Sequence, residues 1–480
     1  MPSHRLGNLA NKTATEIAEL ISILGPQITH LDLSENLLFN RSVDDLIEIF
    51  TAIPGNIYHL DLSKNFLGRK TVAELIPIIA SIPPHITSLD LQNNALDDLS
   101  GDELAQVFSK IPKGVRYLNI GGNGLGNKPR YEVTQAFSSL PAGLAHLNVN
   151  RNNFANKTNA ELSNIFSAIK APLTTLDLSW NQLFAPGRAE ENINFQFIPK
   201  SIKDVNLAGN YLNQKRADLL VTDFSTMSPN ITSIDLSENN LGDKTGADLS
   251  KTFGAFPPGV KKANLGGNRL GHKSGIELSQ AIRNIHPGVT SFDLSNNNFA
   301  ETDSRELGIA LSAFGPDVAL VNLQGNNFGD KSLADLLLTF SPQPPLAMKA
   351  VDLQHNNLEK VTVAAINLVN REISRLSPHT ENSNNFWVGA GLIKASDKKI
   401  EALNSLKDFI GTISSTNMLD FPNKLRAWEK EHHQVLNEQR NLVHSFFAPD
   451  HKSTLSLKIK RIFSALELKD APQKAQPFTP

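Results

Sequence analysis

The sequence predicts an α/β solenoid, a horseshoe with a parallel sheet on its concave side and helices on its convex side. Three observations carry this. One line, reducible to Leu-x-x-Leu-x-Leu-x-x-Asn-x-Leu and first written from Ile28 to Leu38, occurs twelve times. Its asparagine falls at Asn36, Asn65, Asn94, Asn123, Asn152, Asn181, Asn210, Asn239, Asn268, Asn297, Asn326 and Asn356, with a step of 29 residues ten times and 30 at the last. Six residues past most of these, a Ser, Thr or Asp is followed three positions later by Glu or Asp. A fixed period of this length means stacked supersecondary units that share one core.

Within a repeat, Leu31 and Leu33 alternate with Asp32. That period of two marks a short strand with its leucines buried and its aspartate on the open face. The asparagine lies in the turn that follows, where backbone groups have no strand partner. An amide can donate and accept at once, so the twelve asparagines are expected to stack as a structural ladder. The helix comes next. Ser42/Asp45, Thr71/Glu74, Ser100/Glu103, Thr158/Glu161, Thr245/Asp248, Ser274/Glu277 and Ser332/Asp335 have the spacing of a capping box or its aspartate variant. Apolar residues such as Leu46, Phe50 and Ile53 follow at helical spacing, and prolines such as Pro54, Pro112 and Pro257 close the segment.

Residues 1–27 read as an N-terminal cap, a half-repeat with a turn at Gly7 to Leu9, a capping pair at Thr13/Glu16 and a helix face of Ile17, Leu20 and Leu24, but without a strand. Residues 28–376 hold the twelve repeats. Repeat six departs from the pattern: Pro186 and Gly187 stand where the helix cap should be, and Glu191 takes an apolar slot. A distorted or missing helix is expected there. Ser377 to Asn385 reads as a linker, followed by an apolar stretch from Phe386 to Ile393 and helical patterns near 397–413, 422–447 and 452–467. Residues 377–468 are thus a helical cap on the last repeat or a small helical domain, and 469–480 read as a disordered tail.

Composition excludes several classes. The chain has 480 residues and a net charge of −2, which gives no expectation of nucleic acid. There is no cysteine, so neither disulfide caps nor a cysteine nucleophile can exist. No stretch is apolar enough to span a bilayer, and the first residues lack the apolar core of a signal peptide. A cytosolic monomer is expected. Asn11-Lys-Thr, Asn40-Arg-Ser and Asn156-Lys-Thr have the form of glycosylation sites, but their Ser or Thr occupies the helix-cap slot. Gly266 to Ser274 resembles a P-loop with one residue too many between Gly271 and Lys273, and Asn268 and Ser274 already hold the turn and cap positions. His432 and His433 are adjacent and cannot share a helix face as a metal pair would. No catalytic, cofactor-binding or metal-ligating residues are assigned.

Candidate binding residues lie on the outward strand positions. Position five of the motif carries Asp32, Asp61, Asp90, Asn119, Asn148, Asp177, Asn206, Asp235, Asn264, Asp293, Asn322 and Asp352. Carboxylates about 4.8 Å apart repel, so this row is either a solvated feature of the repeat or a groove that attracts a partner with a basic surface. Position three carries His30, His59, Tyr117 and His146, and position eight carries Arg151 and then Trp180, with Tyr211 just past the next asparagine. Trp, Tyr and Arg are the residues enriched at the centres of protein interfaces. The candidate partner-binding set is therefore Tyr117, His146, Arg151, Asp177, Trp180 and Tyr211, with Asp32, Asp61 and Asp90. The opposing reading is that Trp180 packs on its own turn.

The repeated motif resembles the leucine-rich-repeat family, and 29-residue units with a full convex helix look like its ribonuclease-inhibitor class, over roughly residues 7–376. That resemblance implies a protein-binding scaffold without enzymatic activity. The near-identical repeats and the missing cysteines are similar to leucine-rich-repeat effectors of Legionella, which implies export by a type IV system into a host cytosol; Phe478 near the end fits such a signal. A GTPase-activating family shares the repeat class, so regulation of a small GTPase is the alternative, with Arg151, Asn119 and Asn148 available to it. A third possibility is membrane-surface contact through Lys458, Lys460 and Arg461.

Overall fold

The computed structural model describes residues 3–187, 193–340, 350–376, 400–414 and 420–437. They fall into two compact units, one of residues 1–243 with 254–265 and one of 244–253 with 266–480. In the first unit, ten short strands lie parallel in chain order. They are β1 (Ser3–Arg5), β2 (His30–Asp32), β3 (His59–Asp61), β4 (Ser88–Asp90), β5 (Tyr117–Asn119), β6 (His146–Asn148), β7 (Thr175–Asp177), β8 (Asp204–Asn206), β9 (Ser233–Asp235) and β10 (Lys262–Asn264). Helices α1 (Ala14–Ser22), α2 (Val43–Thr51), α3 (Val72–Ala80), α4 (Gly101–Phe108), α5 (Arg130–Ser138), α6 (Asn159–Ser167) and α7 (Ala217–Thr226) return the chain between strands. Helix α8 (Gly246–Gly254) falls mostly in the second unit. That unit also holds parallel strands β11 (Ser291–Asp293), β12 (Leu320–Asn322) and β13 (Val351–Asp352). Its other helices are α9 (Gly275–Asn284), α10 (Ser304–Leu311), α11 (Leu333–Phe340), α12 (Leu358–Leu376), α13 (400–411) and α14 (Phe421–Asn437). The fold is a leucine-rich-repeat solenoid.

Local chemistry explains each unit. The inward leucines Leu31, Leu60, Leu89, Leu118, Leu147 and Leu176 are buried, as are the inward helix residues such as Leu46, Ile49 and Phe50. Thr13, Thr71, Ser100, Thr158 and Ser274 form complete capping boxes, and Ser42 accepts from the Asp45 N–H. The hydroxyls of the three glycosylation-like triplets, Thr13, Ser42 and Thr158, are thus helix caps.

The asparagine ladder is present in both units. The Asn94 N–H donates to Asn123 Oδ1 at 2.8 Å, and the Leu96 N–H reaches the same oxygen at 3.3 Å. Asn123 Nδ2 donates to the carbonyls of Leu91, Ile120 and Gly121. The same pattern recurs, for example at Asn152 and Asn181 in the first unit and Asn326 and Asn356 in the second. In every repeat the residues on both sides of this asparagine have positive φ, from Glu35 and Leu37 to His355 and Asn357. A side chain in that region costs roughly 1 kcal/mol or more. Only half of these positions hold Gly or Asn, so the turn is imposed by the ladder rather than by local preference.

A second ladder lies five residues on, at the entrance to the helix. Lys70 Nζ donates to the Arg41 carbonyl at 2.7 Å, Lys157 Nζ to the Lys128 carbonyl at 2.6 Å and Lys331 Nζ to the Thr302 carbonyl at 2.7 Å. Arg41 makes the same bond to Lys12 at 2.9 Å. Each basic stem runs through the core and closes a carbonyl of the preceding repeat. Lys273, the lysine of the near-P-loop, occupies this position in its repeat.

Two regions differ from the repeat. The N-terminal half-repeat, expected to lack a strand, has one: β1 pairs with β2, Ser3 against His30 and Arg5 against Asp32. Its slots hold Ser, His and Arg in place of leucines, so no apolar alternation marks it. Backbone pairing and the bond from Arg5 to Glu35 at 2.7 Å hold it instead. In repeat six, the described residues between β7 and β8 contain no α-helix, only a 3-10 turn at Phe195–Phe197. Pro186 cannot donate to a helix, and Gly187 turns the chain at φ +91°. Phe184, Phe195 and Phe224 fill the core there, with ring centroids 5.9 and 5.5 Å apart. Lys215 donates to the Ile193 carbonyl and pairs with the buried Asp223. The expectations for Glu191, the linker 377–385, the stretch 386–393, the pattern 452–467 and the tail 469–480 lie outside the described residues.

Candidate functional site

The strands of the first unit place the candidate residues in three rows across the open face of the sheet. The position-three row runs His30, His59, Ser88, Tyr117, His146 and Thr175 in direct register. His30 and His59 stack with centroids 5.6 Å apart, and burial together with the neighbouring ring lowers the pKa of His59. Tyr117 leans on His146 at 6.3 Å, while His146 Nδ1 lies 2.8 Å from Thr175 Oγ1. Tyr117 is 38% exposed, and its partial burial raises its pKa.

The position-five row has a structural task that changes its reading. Asp32, Asp61, Asp90 and Asp177 each accept the backbone N–H two residues on, at 2.8–2.9 Å. Asn119 and Asn148 do the same with their amide oxygens, which is why Asp and Asn interchange at this position. Where Asn follows Asp, its amide nitrogen donates to the remaining carboxylate oxygen: Asn119 to Asp90 at 2.8 Å and Asn264 to Asp235 at 2.8 Å. Asn206 stands beside Asp177 in register and acts to lower its pKa. Burial raises the pKa of Asp90 and of Asp177 against these bonds. Across its middle, part of the row's hydrogen-bonding capacity is taken by these turn and amide bonds. Asn119, considered as a GTPase-contacting group, is buried between Asp90 and Gln92.

The position-eight row forms the rim, and its side chains lean toward the next repeat. Glu35 bonds Lys64 at 2.5 Å. The Asn93 amide lies over Gly122, and the Arg151 guanidinium lies 5.1 Å from the Trp180 ring centroid. Trp180 in turn covers Gly209, where a Cβ would come within 2.5 Å of the indole Cδ2. Trp180 therefore packs on the turn of the following repeat rather than its own. It still exposes 42% of its surface, and Tyr211, two residues past Gly209, exposes 38%. The structure lays Arg151 over Trp180 and Trp180 over Gly209, and Tyr211 stands in the same turn as Gly209. It sets Tyr117, His146 and Asp177 on the adjoining strands. Asp32 and Asp61 stand on β2 and β3, at the N-terminal end of the sheet.

Sequence reasoning missed Gly209 and the lysine ladder. Gly209 has no side chain to attract notice. The ladder does have a signal, a Lys followed by Ser or Thr at Lys12, Lys70, Lys157, Lys244, Lys273 and Lys331, in phase with the asparagines. Among the described residues, no group of His, Asp and Glu is arranged to hold a metal ion, and no helix is long and apolar enough to cross a membrane. Lys458, Lys460 and Arg461 lie outside the described residues. On the side of the sheet away from this face, beside α6, a cleft of about 430 Å³ is lined by Phe166, Ile169, Leu173, Phe197, Ile198 and Lys200.

Comparison with known proteins agrees with the repeat reading. The leucine-rich-repeat family model matches residues 83–105, 171–188 and 228–249. Among solved structures, the chain is similar to the leucine-rich repeat-containing protein LegL7 from Legionella pneumophila, at 26% identity and a TM-score of 0.45, covering 73% of this chain and 90% of that one. A structure of the yeast Rad7–Elc1 complex matches at 14% identity and a TM-score of 0.38, covering 67% and 84%. A search of curated proteins finds no significant match. The chain is built of leucine-rich repeats, the architecture of a protein-interaction scaffold.

Proposed function

We propose that this chain holds a protein partner on the open face of its first unit, centred on Arg151, Trp180 and Tyr211 and extending over Tyr117, His146 and Asp177. One observation supports it above the others. Trp180 sits in a left-handed turn position at φ +57°, with its ring over Gly209, and remains 42% exposed. The Gly, Asn and Glu at the same position of other repeats give the same turn. The fold does not need the indole, whereas an interface uses exactly such a rigid, half-exposed ring. Asp32, Asp61 and Asp90 contribute to the turns first and to a partner second.

The finer reading is a bacterial effector exported to a host cytosol, where it engages a host protein. The resemblance of the repeats to Legionella effectors and the cysteine-free sequence support it. The test is affinity capture from eukaryotic lysate with the wild type beside Arg151→Ala/Trp180→Ala/Tyr211→Ala, each checked for folding. A partner captured by the first and lost by the second is the expected result. Capture unchanged by the triple substitution would overturn the placement. Small-GTPase regulation remains the alternative; with Asn119 buried, it rests on Arg151 and Asn148. Acceleration of GTP hydrolysis by the wild type, lost on Arg151→Ala, is what it requires.

A further inference from the structure

The charge of the partner can be read from the same rim. Other basic side chains along it are already engaged: Arg5 and Lys64 both bond Glu35. Arg151 is exposed and lies over Trp180, and among the described residues its guanidinium has neither a hydrogen bond nor an ion pair. The guanidinium sits over the indole and its N–H groups remain available to a carboxylate. The nearest acidic row does not neutralise it. Asp177 accepts the Ser179 N–H and stands beside Asn206 in register, and burial raises its pKa where a nearby cation would lower it.

We infer that the Arg151–Trp180–Tyr211 rim binds an acidic side chain of a protein partner, an Asp or Glu flanked by apolar residues that lie along the indole and the Tyr211 ring. This deepens the proposed function and rests on it. It also reverses the sign of the partner expected from the aspartate row, because the centre of that row is occupied by turn and amide hydrogen bonds while Arg151 is not. The carboxylate would take two N–H bonds from the guanidinium, and the apolar neighbours would cover the exposed edge of Trp180. Gly209 is the positioning residue, since its missing Cβ lets the ring lie flat enough to carry the arginine.

The test is selection of random dodecapeptides by display against the full chain, followed by affinity measurement of the selected peptides by fluorescence anisotropy at low and high salt. Peptides enriched in Asp or Glu next to aliphatic or aromatic residues are expected, with affinity falling as salt rises. Arg151→Gln should weaken them roughly tenfold to a hundredfold. Arg151→Lys should recover only part of that loss, because the charge remains but the planar fork does not. Arg151→Glu should turn the selection toward Lys and Arg. Thermal unfolding of each variant should match the wild type. Selected peptides without acidic enrichment, or with affinity unchanged in Arg151→Gln, overturn the inference, as does the absence of any enriched peptide. If neutral peptides still need Trp180 and Tyr211, the acidic partner fails and the binding face stands. If peptides bind irrespective of all three residues, both fail.

Discussion

Two ladders run along this solenoid, and they tolerate change very differently. The asparagine ladder has a member in every repeat, whereas the basic ladder is interrupted by Leu99, Pro186 and Thr302 and has Val361 in the last repeat. Each asparagine both accepts and donates: Asn123 takes two N–H groups and gives its amide to three carbonyls. A lysine such as Lys157 closes a single carbonyl; at the same position Thr302 closes a different one, donating its hydroxyl to the Gly271 carbonyl at 2.9 Å. The number of groups left without a partner decides which ladder can be broken.

Breaking the asparagine ladder should have the largest effect. Asn123→Leu leaves the buried N–H groups of Asn94 and Leu96 without their acceptor and should lower stability by roughly 2–6 kcal/mol, at 1–3 kcal/mol for each unsatisfied group. Denaturant unfolding should show it, with an intermediate in which the repeats around it open first. Lys157→Met removes one bond and keeps the apolar stem, so about 1–2 kcal/mol is expected in the same assay. Gly209→Ala puts a Cβ at φ +64° against Trp180. It should cost about 1 kcal/mol, and displacing the indole should lower selected-peptide affinity by more than the stability change suggests. Leu99→Lys would restore a basic rung and should stay within roughly 1 kcal/mol of wild type, because the carbonyl of Lys70 is available to it. A loss as large as that of Asn123→Leu would show that the two ladders are equally demanding.

A smaller effect separates the ladders from the helix caps. Glu161 has its pKa lowered, first by the Thr158 backbone N–H. A carboxyl depressed in the folded state contributes stability that is fully present above its unfolded pKa and is lost as pH falls through the folded one. The wild type and Glu161→Gln should therefore differ most at neutral pH and converge in acid, below the ordinary glutamate pKa of about 4.3. Melting temperatures measured across that range check the sign.

The legible part of the molecule was the part written in side chains at a fixed period. Leucines, asparagines and capping pairs identified strand, turn and helix because each has one physical task repeated in phase. Pro186 and Gly187 marked the missing helix of repeat six for the same reason, as breaks in that phase. Strand β1 was hidden because Ser3, His4 and Arg5 are held by backbone pairing and ion pairs, which leave no apolar alternation. The left-handed flanks of each asparagine were hidden because residues as different as Leu37, Phe66 and Trp180 occupy them. On the binding face, Arg151, Trp180 and Tyr211 could be named from the sequence. Their stacking order could not, since it depends on Gly209. The aspartate row looked like free charge because its consumption by Ser34, Ser63, Gln92 and Ser179 is a backbone matter.

The asparagine bonds also have a direction. From Asn36 to Asn210, the N–H of each asparagine is closed by the amide oxygen of the one that follows in the chain, as Asn65 closes Asn36 and Asn239 closes Asn210. A repeat of the first unit is therefore incomplete until its successor exists. During synthesis, which runs from the N-terminus, each new turn must wait for the next 29 residues to leave the ribosome before its buried amides are paired. The growing end would always be one unit behind the peptide bond being made, and a pause within one repeat would leave the preceding turn open for as long as the pause lasts.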